Sequence, residues 1–367
     1  MHRTWVEISK KSLQNNIHQF QKLIGGKVKL MAVIKANAYG HGLIETTKII
    51  VGASVSWIGV DSVDEAIELR KAGIKAPILI LGYTLLSRLK DVVKYDLRQT
   101  VYNEETIEAL KTKPVKVHLK IETGTSRQGV EKEELLKLVN LIKKYPQIEI
   151  EGAHTHYANI EDTTNHSYAQ QQIKRFKQAI ELLEKNGIKV PIKHTACSAA
   201  IILFPKTYFD MVRLGISMYG LWPSKETFIS AKEKNRKVEL EPVLTWKTRV
   251  VQIKNIKAGT PIGYGLTEKA SRDSKIAILP VGYRDGYDRK LSRTADVLIK
   301  GKRCKVLGRV CMNMIIVDVN HISDIRLEDE VVLLGHEITA DELAQKIGTI
   351  NYEVVTRINP LIPRIIV

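Results

Sequence analysis

Lys35 ends the apolar run Met31-Ala32-Val33-Ile34 and opens the small, turn-forming stretch Ala36-Asn37-Ala38-Tyr39-Gly40-His41-Gly42. A lysine in that setting has an apolar strand behind it. Loss of water around its ammonium lowers its pKa and brings the neutral amine within reach near neutral pH. Such an amine forms Schiff bases with carbonyl compounds. One residue among 57 Lys and Arg decides nothing alone, but other reactive side chains recur just after apolar runs. Lys120 and Arg127 follow one run, and His154 and His156 another. His194 and Ser198 follow a third, and Arg213, Gly215 and Ile216 close a fourth.

The runs that must position these groups lie at 28–35, 55–60, 77–82, 97–101, 115–121, 148–153, 192–195 and 210–213. Amphipathic segments separate them. Leu13, Ile17, Phe20 and Ile24 share one helical face in 11–24, Ser62-x-x-Glu65 forms a capping box, and 131–143 and 168–184 read as helices. Eight strand–helix repeats match a (β/α)8 TIM-type barrel, for which roughly 250 residues are usual. A doubly wound open sheet would carry a Gly-rich phosphate turn early, and none is present.

In a barrel the reactive groups come from the C-terminal strand ends, and the loops after strands seven and eight form the usual phosphate site. Ser198 before Ala199-Ala200, and Gly215-Ile216, fit those two loops. An amine on strand one beside a phosphate site points to pyridoxal phosphate. A metal-dependent barrel hydrolase is the rival, because His154-x-His156 puts two imidazoles on one face of a strand, with His194, Lys120 and Asp210 at hand. Against it, Lys35 would place positive charge beside the metal.

From about residue 236 the pattern changes. Runs at 243–255, 275–281, 296–300, 304–310, 314–319 and 330–334 are punctuated by Gly and Pro, and read as a mainly antiparallel β domain. Thr339-x-x-Glu342 starts a helix that Gly348 stops. The Lys- and Glu-rich stretch 223–237 reads as a linker. The expected division is a barrel over 1–235 and a C-terminal β domain over 236–367.

A formal charge of +17 would suit nucleic acid, a membrane surface or small anions. The basic residues are scattered, without an aromatic-interleaved tract, so the reading is a basic solvated surface with anionic ligands and no nucleic-acid partner. Cys197, Cys304 and Cys311 make no CxxC pair, which fits a reducing compartment. The N-terminus lacks an apolar signal core, and no run approaches the ~20 residues of a membrane span. The expectation is a cytoplasmic protein with no membrane partner.

Ala32-Val33-Ile34-Lys35-Ala36-Asn37-Ala38-Tyr39-Gly40-His41-Gly42 resembles the cofactor-attachment signature of the alanine racemases, fold type III pyridoxal phosphate enzymes with a barrel and a C-terminal β domain. The resemblance covers essentially the whole chain. It implies that Lys35 binds the cofactor covalently and that Tyr39, Ser198, Gly215, Ile216 and Tyr352 hold its phosphate. It implies that Arg213, with His194 behind it, faces the pyridine nitrogen and that His156 packs on the ring. Lys120 is similar to a carbamylated lysine that holds Arg127, which contacts the cofactor's phenolic oxygen and the substrate carboxylate. Gly263-Tyr264-Gly265 resembles the loop of the second catalytic base. Val281–Tyr287 and Gly308–Met312 resemble two further signatures, with Met312 offering its N–H to the carboxylate. The implied activity is interconversion of L- and D-alanine by Lys35 and Tyr264, supplying D-alanine for peptidoglycan. The implied assembly is a head-to-tail homodimer with shared active sites.

Five places depart from the family pattern: Cys197 for Asn, Leu214 for Pro, Thr125-Ser126 for Met-Gly, Asn313 for Asp, and the stretch Asn159-Ile160. None removes a catalytic group. Asn313 deletes a negative charge near the tyrosine loop and leaves open a broader-range racemase acting on lysine, arginine or serine.

Overall fold

The computed structural model describes residues 2–367, which divide into two compact units. One comprises Leu13–Ala38 and Thr46–Glu241; the other comprises residues 2–12, Tyr39–Glu45 and Pro242–Val367. The first strand, β1 (Thr4–Ile8), belongs to the second unit.

The next eight strands make the barrel: β2 (Lys29–Val33), β3 (Trp57–Val60), β4 (Ile78–Ile80), β5 (Arg98–Val101), β6 (Val115–Lys120), β7 (Ile148–His154), β8 (Ile192–His194) and β9 (Met211–Leu214). All eight lie where apolar runs were expected. β3 and β4 are buried at every position, as strands covered on both faces must be. The ladders are parallel in the order β8-β7-β6-β5-β4-β3-β2-β9. Asp210 N–H donates to Lys193 O at 3.0 Å and Lys193 N–H to the Asp210 carboxylate at 2.8 Å, drawing the two ends of the sheet together. Met31, Trp57, Leu79, Ile192 and Met211 pack at the centre.

The outer helices follow their local signals. Helix Lys10–Ile24 buries Leu13, Ile17, Phe20 and Ile24. Helix Val63–Lys71 has both bonds of the Ser62/Glu65 capping box. Helices Lys132–Lys143 and Ser167–Lys185 also form. The expected linker at 223–237 is instead largely a helix, Lys225–Glu233, whose cap Ser224 accepts the N–H of Thr227. Its buried face is Thr227, Ser230 and Ala231, too small and polar to register as an apolar stripe.

The second unit contains β1, β10 (Leu244–Arg249), β11 (Gln252–Ile256), β12 (Ser274–Leu279), β13 (Asp296–Ile299), β14 (Lys302–Leu307), β15 (Ile315–Asp318), β16 (Glu330–Leu334) and β17 (Arg364–Ile366). The order is β11-β12-β15-β14-β13-β16-β10-β1-β17, antiparallel except between β1 and β17. Residues 4–8 carried no strand expectation, yet β1 sits between β10 and β17 with four of its five residues buried. Ile262, Ala270, Ile276 and Leu307 form one core of this unit. Helix Ala340–Ile347 runs from its Thr339 cap to Gly348, at φ 73°. No helix among the described residues is long and apolar enough to cross a membrane.

A register shift interrupts the β6–β7 ladder. Val117 pairs with Ile150 but His118 with Gly152, so Glu151 is an extra residue in the pairing. A Cβ on Gly152 would lie 2.6 Å from the His118 ring and 2.6 Å from Ile192 O. Gly152→Ala is therefore expected to lower stability by about 1–3 kcal/mol, read as a shifted urea midpoint. Gly26→Ala, which meets open space, should stay within about 0.5 kcal/mol of the parent.

Candidate active site

β2 ends at Val33, and Lys35 opens the short helix Lys35–Tyr39. Ala36, Asn37, Ala38 and Tyr39 have φ of 54°, 55°, 53° and 52°, so this is a left-handed turn without glycine. Each such residue costs roughly 1–2 kcal/mol, so the surroundings must hold the turn in place. Ala38 N–H reaches Ile34 O at 2.8 Å. Glu65 accepts the N–H of Ala36 at 2.6 Å on one carboxylate oxygen and those of Asp61 and Ser62 at 2.9 and 3.3 Å on the other. The capping residue of one helix thus also fastens the turn that carries Lys35. The Lys35 side chain is 42% exposed, with Nζ 3.9 Å from Asp61. The desolvation expected from its place after an apolar run is not present: the strand is buried, but the amine projects beyond it.

The buried amine is Lys120, at 6% exposure. Burial, then the charges of Arg127, Arg213 and Lys35, push its pKa down to about 8. Lys120 Nζ donates to Gln128 Oε1 at 3.0 Å, and Gln128 Nε2 lies 3.3 Å from Tyr102 Oη. Arg127 does not pair with Lys120. Its loop is wrapped around the Glu122 carboxylate, which accepts the N–H groups of Gly124, Thr125 and Arg127 at 2.5, 2.6 and 3.4 Å.

Arg213 is 5% exposed and has no carboxylate partner among the described residues. Nη1 donates to His194 Nδ1 at 2.9 Å and His194 O at 2.8 Å. Nη2 donates to Thr155 O at 2.7 Å and Thr195 O at 3.0 Å, and lies 3.4 Å from His156 Nδ1. Burial lowers its pKa to about 10, which leaves it a cation at neutral pH. His156 is held well below its ordinary value by burial and then by Arg213, Arg127, Lys120 and Lys35. Four cations therefore act on one end of the barrel.

The two histidines of the His154-x-His156 pair do not converge on a metal position. His154 stacks on His194 at 4.8 Å and reaches Thr100 Oγ1 at 3.3 Å, whereas His156 turns to Arg213. Among the described residues no group of three or more His, Cys, Asp or Glu is arranged to hold a metal ion. Ser198, Gly215 and Ile216 do come together: Ser198 Oγ accepts the N–H groups of Gly215 and Ser217 at 3.0 and 3.4 Å. The buried Ser217 Oγ beside them has no hydrogen-bond partner.

In the second unit the Tyr39 and Tyr352 rings lie 6.1 Å apart. A Cβ on Gly40 would lie 2.0 Å from Val355 O, so only glycine lets these segments approach. Tyr264, flanked by Gly263 at φ 70° and Gly265 at φ 78°, is 72% exposed, and Met312 is 55% exposed. Both line a cavity of about 460 Å³ with Tyr283, Arg309, Cys311 and Asn313. Tyr283 and Arg284 donate their N–H groups to Cys311 O and Met312 O, each at 3.0 Å, which ties the two signature loops together.

The alanine racemase N-terminal domain model matches residues 8–223, and the C-terminal domain model matches 243–366. The chain belongs to the alanine racemase family. It is 44% identical to an alanine racemase of Halothermothrix orenii over 371 residues, covering 98% of this chain and 96% of that one. It is 42% identical to an alanine racemase of Leptospira interrogans, covering 99% and 96%. Among solved structures, alanine racemase of Clostridium difficile aligns with a TM-score of 0.94 at 36% identity, covering 100% of this chain and 96% of that one. The Bacillus anthracis alanine racemase with bound L-Ala-P aligns at 0.94 and 33%, covering 100% and 95%.

Alanine racemases use pyridoxal phosphate, and the residues present fit it. Lys35, Lys120, Arg127 and Arg213 are an excess of positive charge that a phosphate, a phenolic oxygen and a carboxylate would balance. Ser217 Oγ is an unsatisfied polar atom beside the Ser198–Gly215 loop.

Glu65, Glu122 and Gln128 escaped the sequence reading. Ser62-x-x-Glu65 marked a helix start, but nothing local says that the same carboxylate reaches Ala36. Glu65→Ala should speed amide exchange in a peptide spanning 35–40 and lower stability by about 1–2 kcal/mol. Glu65→Gln, which keeps one acceptor, should show a smaller change. Unaltered protection in Glu65→Ala, by mass spectrometry, would remove the clamp.

Proposed function

We infer that this chain interconverts L- and D-alanine with pyridoxal phosphate, and so supplies D-alanine for peptidoglycan. The observation that carries the reading is the gathering of Lys35, Lys120, Arg127 and Arg213 at one barrel end, within a chain matched along its length by the family models. When bound, the cofactor makes the Cα hydrogen of alanine acidic. The chain's own residues must then hold the substrate, take the proton from one face and return one on the other.

Lys35 is the covalent anchor and the base on one face, and its exposed Nζ suits an amine that must meet a ligand. Tyr264 is the base on the other face. A phenol of pKa ~10 is a weak base unless cations stabilise its phenolate, and a site rich in Arg and Lys supplies them. The exposure of Tyr264 and Met312 in the single chain supports a homodimer in which they serve the partner's barrel. Arg127 takes the substrate carboxylate and the phenolic oxygen of the cofactor, with the Met312 N–H as a second donor to the carboxylate. Ser198, Gly215, Ile216, Tyr39 and Tyr352 hold the phosphate, and His156 packs on the ring.

Arg213 faces the pyridine nitrogen. A guanidinium does not surrender its proton, so Arg213 would leave the ring nitrogen unprotonated and would thereby suppress transamination. Lys120 becomes a carbamate: the neutral amine attacks CO2, a C–N bond forms and a proton leaves. The amine is neutral above about pH 8, so the reaction is favoured as pH rises through that value. It replaces a buried cation by an anion among cations. The unpaired cysteines and the lack of a membrane-crossing helix among the described residues support a cytoplasmic location.

Incubation with L-alanine, L-lysine or L-serine in D2O tests the reaction. Inversion with α-deuteration of alanine is expected; faster turnover of lysine or serine would favour the broader-range enzyme. Lys35→Ala should lose the borohydride-reducible cofactor absorbance, and retention of that band would displace Lys35. Tyr264→Phe should lose racemisation about 10²–10⁴-fold in both directions while one enantiomer still exchanges its α-hydrogen with retention. Equal loss of exchange for both enantiomers would count against two bases. With ¹³C-bicarbonate a carbamate NMR signal should grow from pH 7 to 9 and be absent in Lys120→Arg.

A further inference from the structure

An unbroken chain of hydrogen bonds crosses the barrel interior from Arg213 to Glu151, which has no role in the site described above. Arg213 Nη1 lies 2.9 Å from His194 Nδ1, His194 Nε2 lies 2.9 Å from His118 Nδ1, and His118 Nε2 lies 3.3 Å from Glu151 Oε2. Arginine can only donate and a carboxylate can only accept, so the direction of every bond is determined. His194 Nδ1 must be bare, and its proton is on Nε2. That proton is given to His118 Nδ1, which must also be bare. The His118 proton is then on Nε2 and goes to Glu151. A second proton on either ring would set two N–H groups against each other.

Both rings are 0% exposed, and burial holds each below the ordinary histidine value, in keeping with neutral imidazoles. At the far end, Glu151 receives Arg98 Nε and Lys116 Nζ, each at 3.3 Å. Burial disfavours the Glu151 anion, but the His118 bond and the Arg98 and Lys116 contacts outweigh it and hold the carboxyl at about 2. The local backbone is built around this chain: Glu151 is the extra residue in the β6–β7 pairing, and Gly152 leaves room for the His118 ring.

We propose that Glu151 is a positioning residue for Arg213, fixing through His118 and His194 the proton pattern that keeps His194 Nδ1 an acceptor for the guanidinium. The inference rests on the reading of Arg213 as the group at the pyridine nitrogen. Its consequence is a split between two substitutions. Glu151→Gln keeps an oxygen for His118, so the direction of the chain survives without the charge. Glu151→Leu leaves His118 Nε2–H buried without an acceptor. Moving that proton to Nδ1 sets it against His194 Nε2–H. Moving the His194 proton in turn sets it against Arg213, and one bond of the chain must break.

Histidine ¹⁵N NMR, on the protein as purified and after removal of the cofactor, reads the tautomers directly. Wild type and Glu151→Gln are expected to carry Nε2–H on both His118 and His194. Glu151→Leu is expected to change at least one of them. Alanine-driven formation of pyridoxamine phosphate per turnover should rise about tenfold in Glu151→Leu, the scale of one lost hydrogen bond, and less than about twofold in Glu151→Gln. Folded Glu151→Leu with unchanged tautomers and unchanged transamination would overturn the proposal. So would Nδ1–H on His194 in the wild type, which requires no variant to fold. The tautomers are read without cofactor, so their failure overturns this inference alone. Absence of α-hydrogen exchange in the wild type overturns the racemase reading.

Discussion

Positive charge in excess of its acidic neighbours is the constraint on which the barrel end depends. Lys35, Lys120, Arg127 and Arg213 act on one another, and two of them are almost wholly buried. Buried charge is tolerated only when hydrogen bonds and counter-charges replace water. Here the hydrogen bonds are supplied by the chain, as carbonyls and imidazoles around Arg213 and as Gln128 at Lys120. Most of the counter-charge is left for ligands.

Rigid elements make that arrangement tenable. The four cations come from the ends of three strands of one parallel barrel: Lys35 just beyond β2, Lys120 and Arg127 at and after β6, and Arg213 in β9. The loops beyond the strands are tied by single carboxylates that each gather several backbone N–H groups: Glu65 at the Lys35 turn and Glu122 at the Arg127 loop. These carboxylates are engaged by backbone donors, and only Glu122 offsets, in part, the cations acting on Lys120. The second unit treats its own residues differently. Tyr264 and Met312 stand exposed on glycine-flanked or cross-tied loops.

Much of this was legible in the sequence because it rests on local signals. The eight barrel strands are short apolar runs bounded by turn residues, and a strand buried on both faces leaves that trace. Lys35, Arg213 and Ser198 stand out because they follow such runs. The rest depends on distant partners or unmarked backbone. β1 is five residues long and takes its neighbours from the far end of the chain. Helix Lys225–Glu233 buries hydroxyls and alanine rather than an apolar stripe. The left-handed turn at Ala36–Tyr39 has no glycine to announce it, and the exposure of Lys35 follows from where that turn aims the amine. The link from His118 to Glu151 needs a register shift that no spacing predicts.

The position of β1 also bears on how the molecule is made. Its two neighbours are β10 and β17, so β1 is completed only by strands that follow the whole barrel in the chain. In chain order the barrel is an insertion between the first two strands of the β unit. A ribosome therefore releases all eight barrel strands while β1 still has two open edges. Until those later strands emerge, β1 carries unpaired edges, which makes this the stage at which it is most open to pairing with a wrong partner.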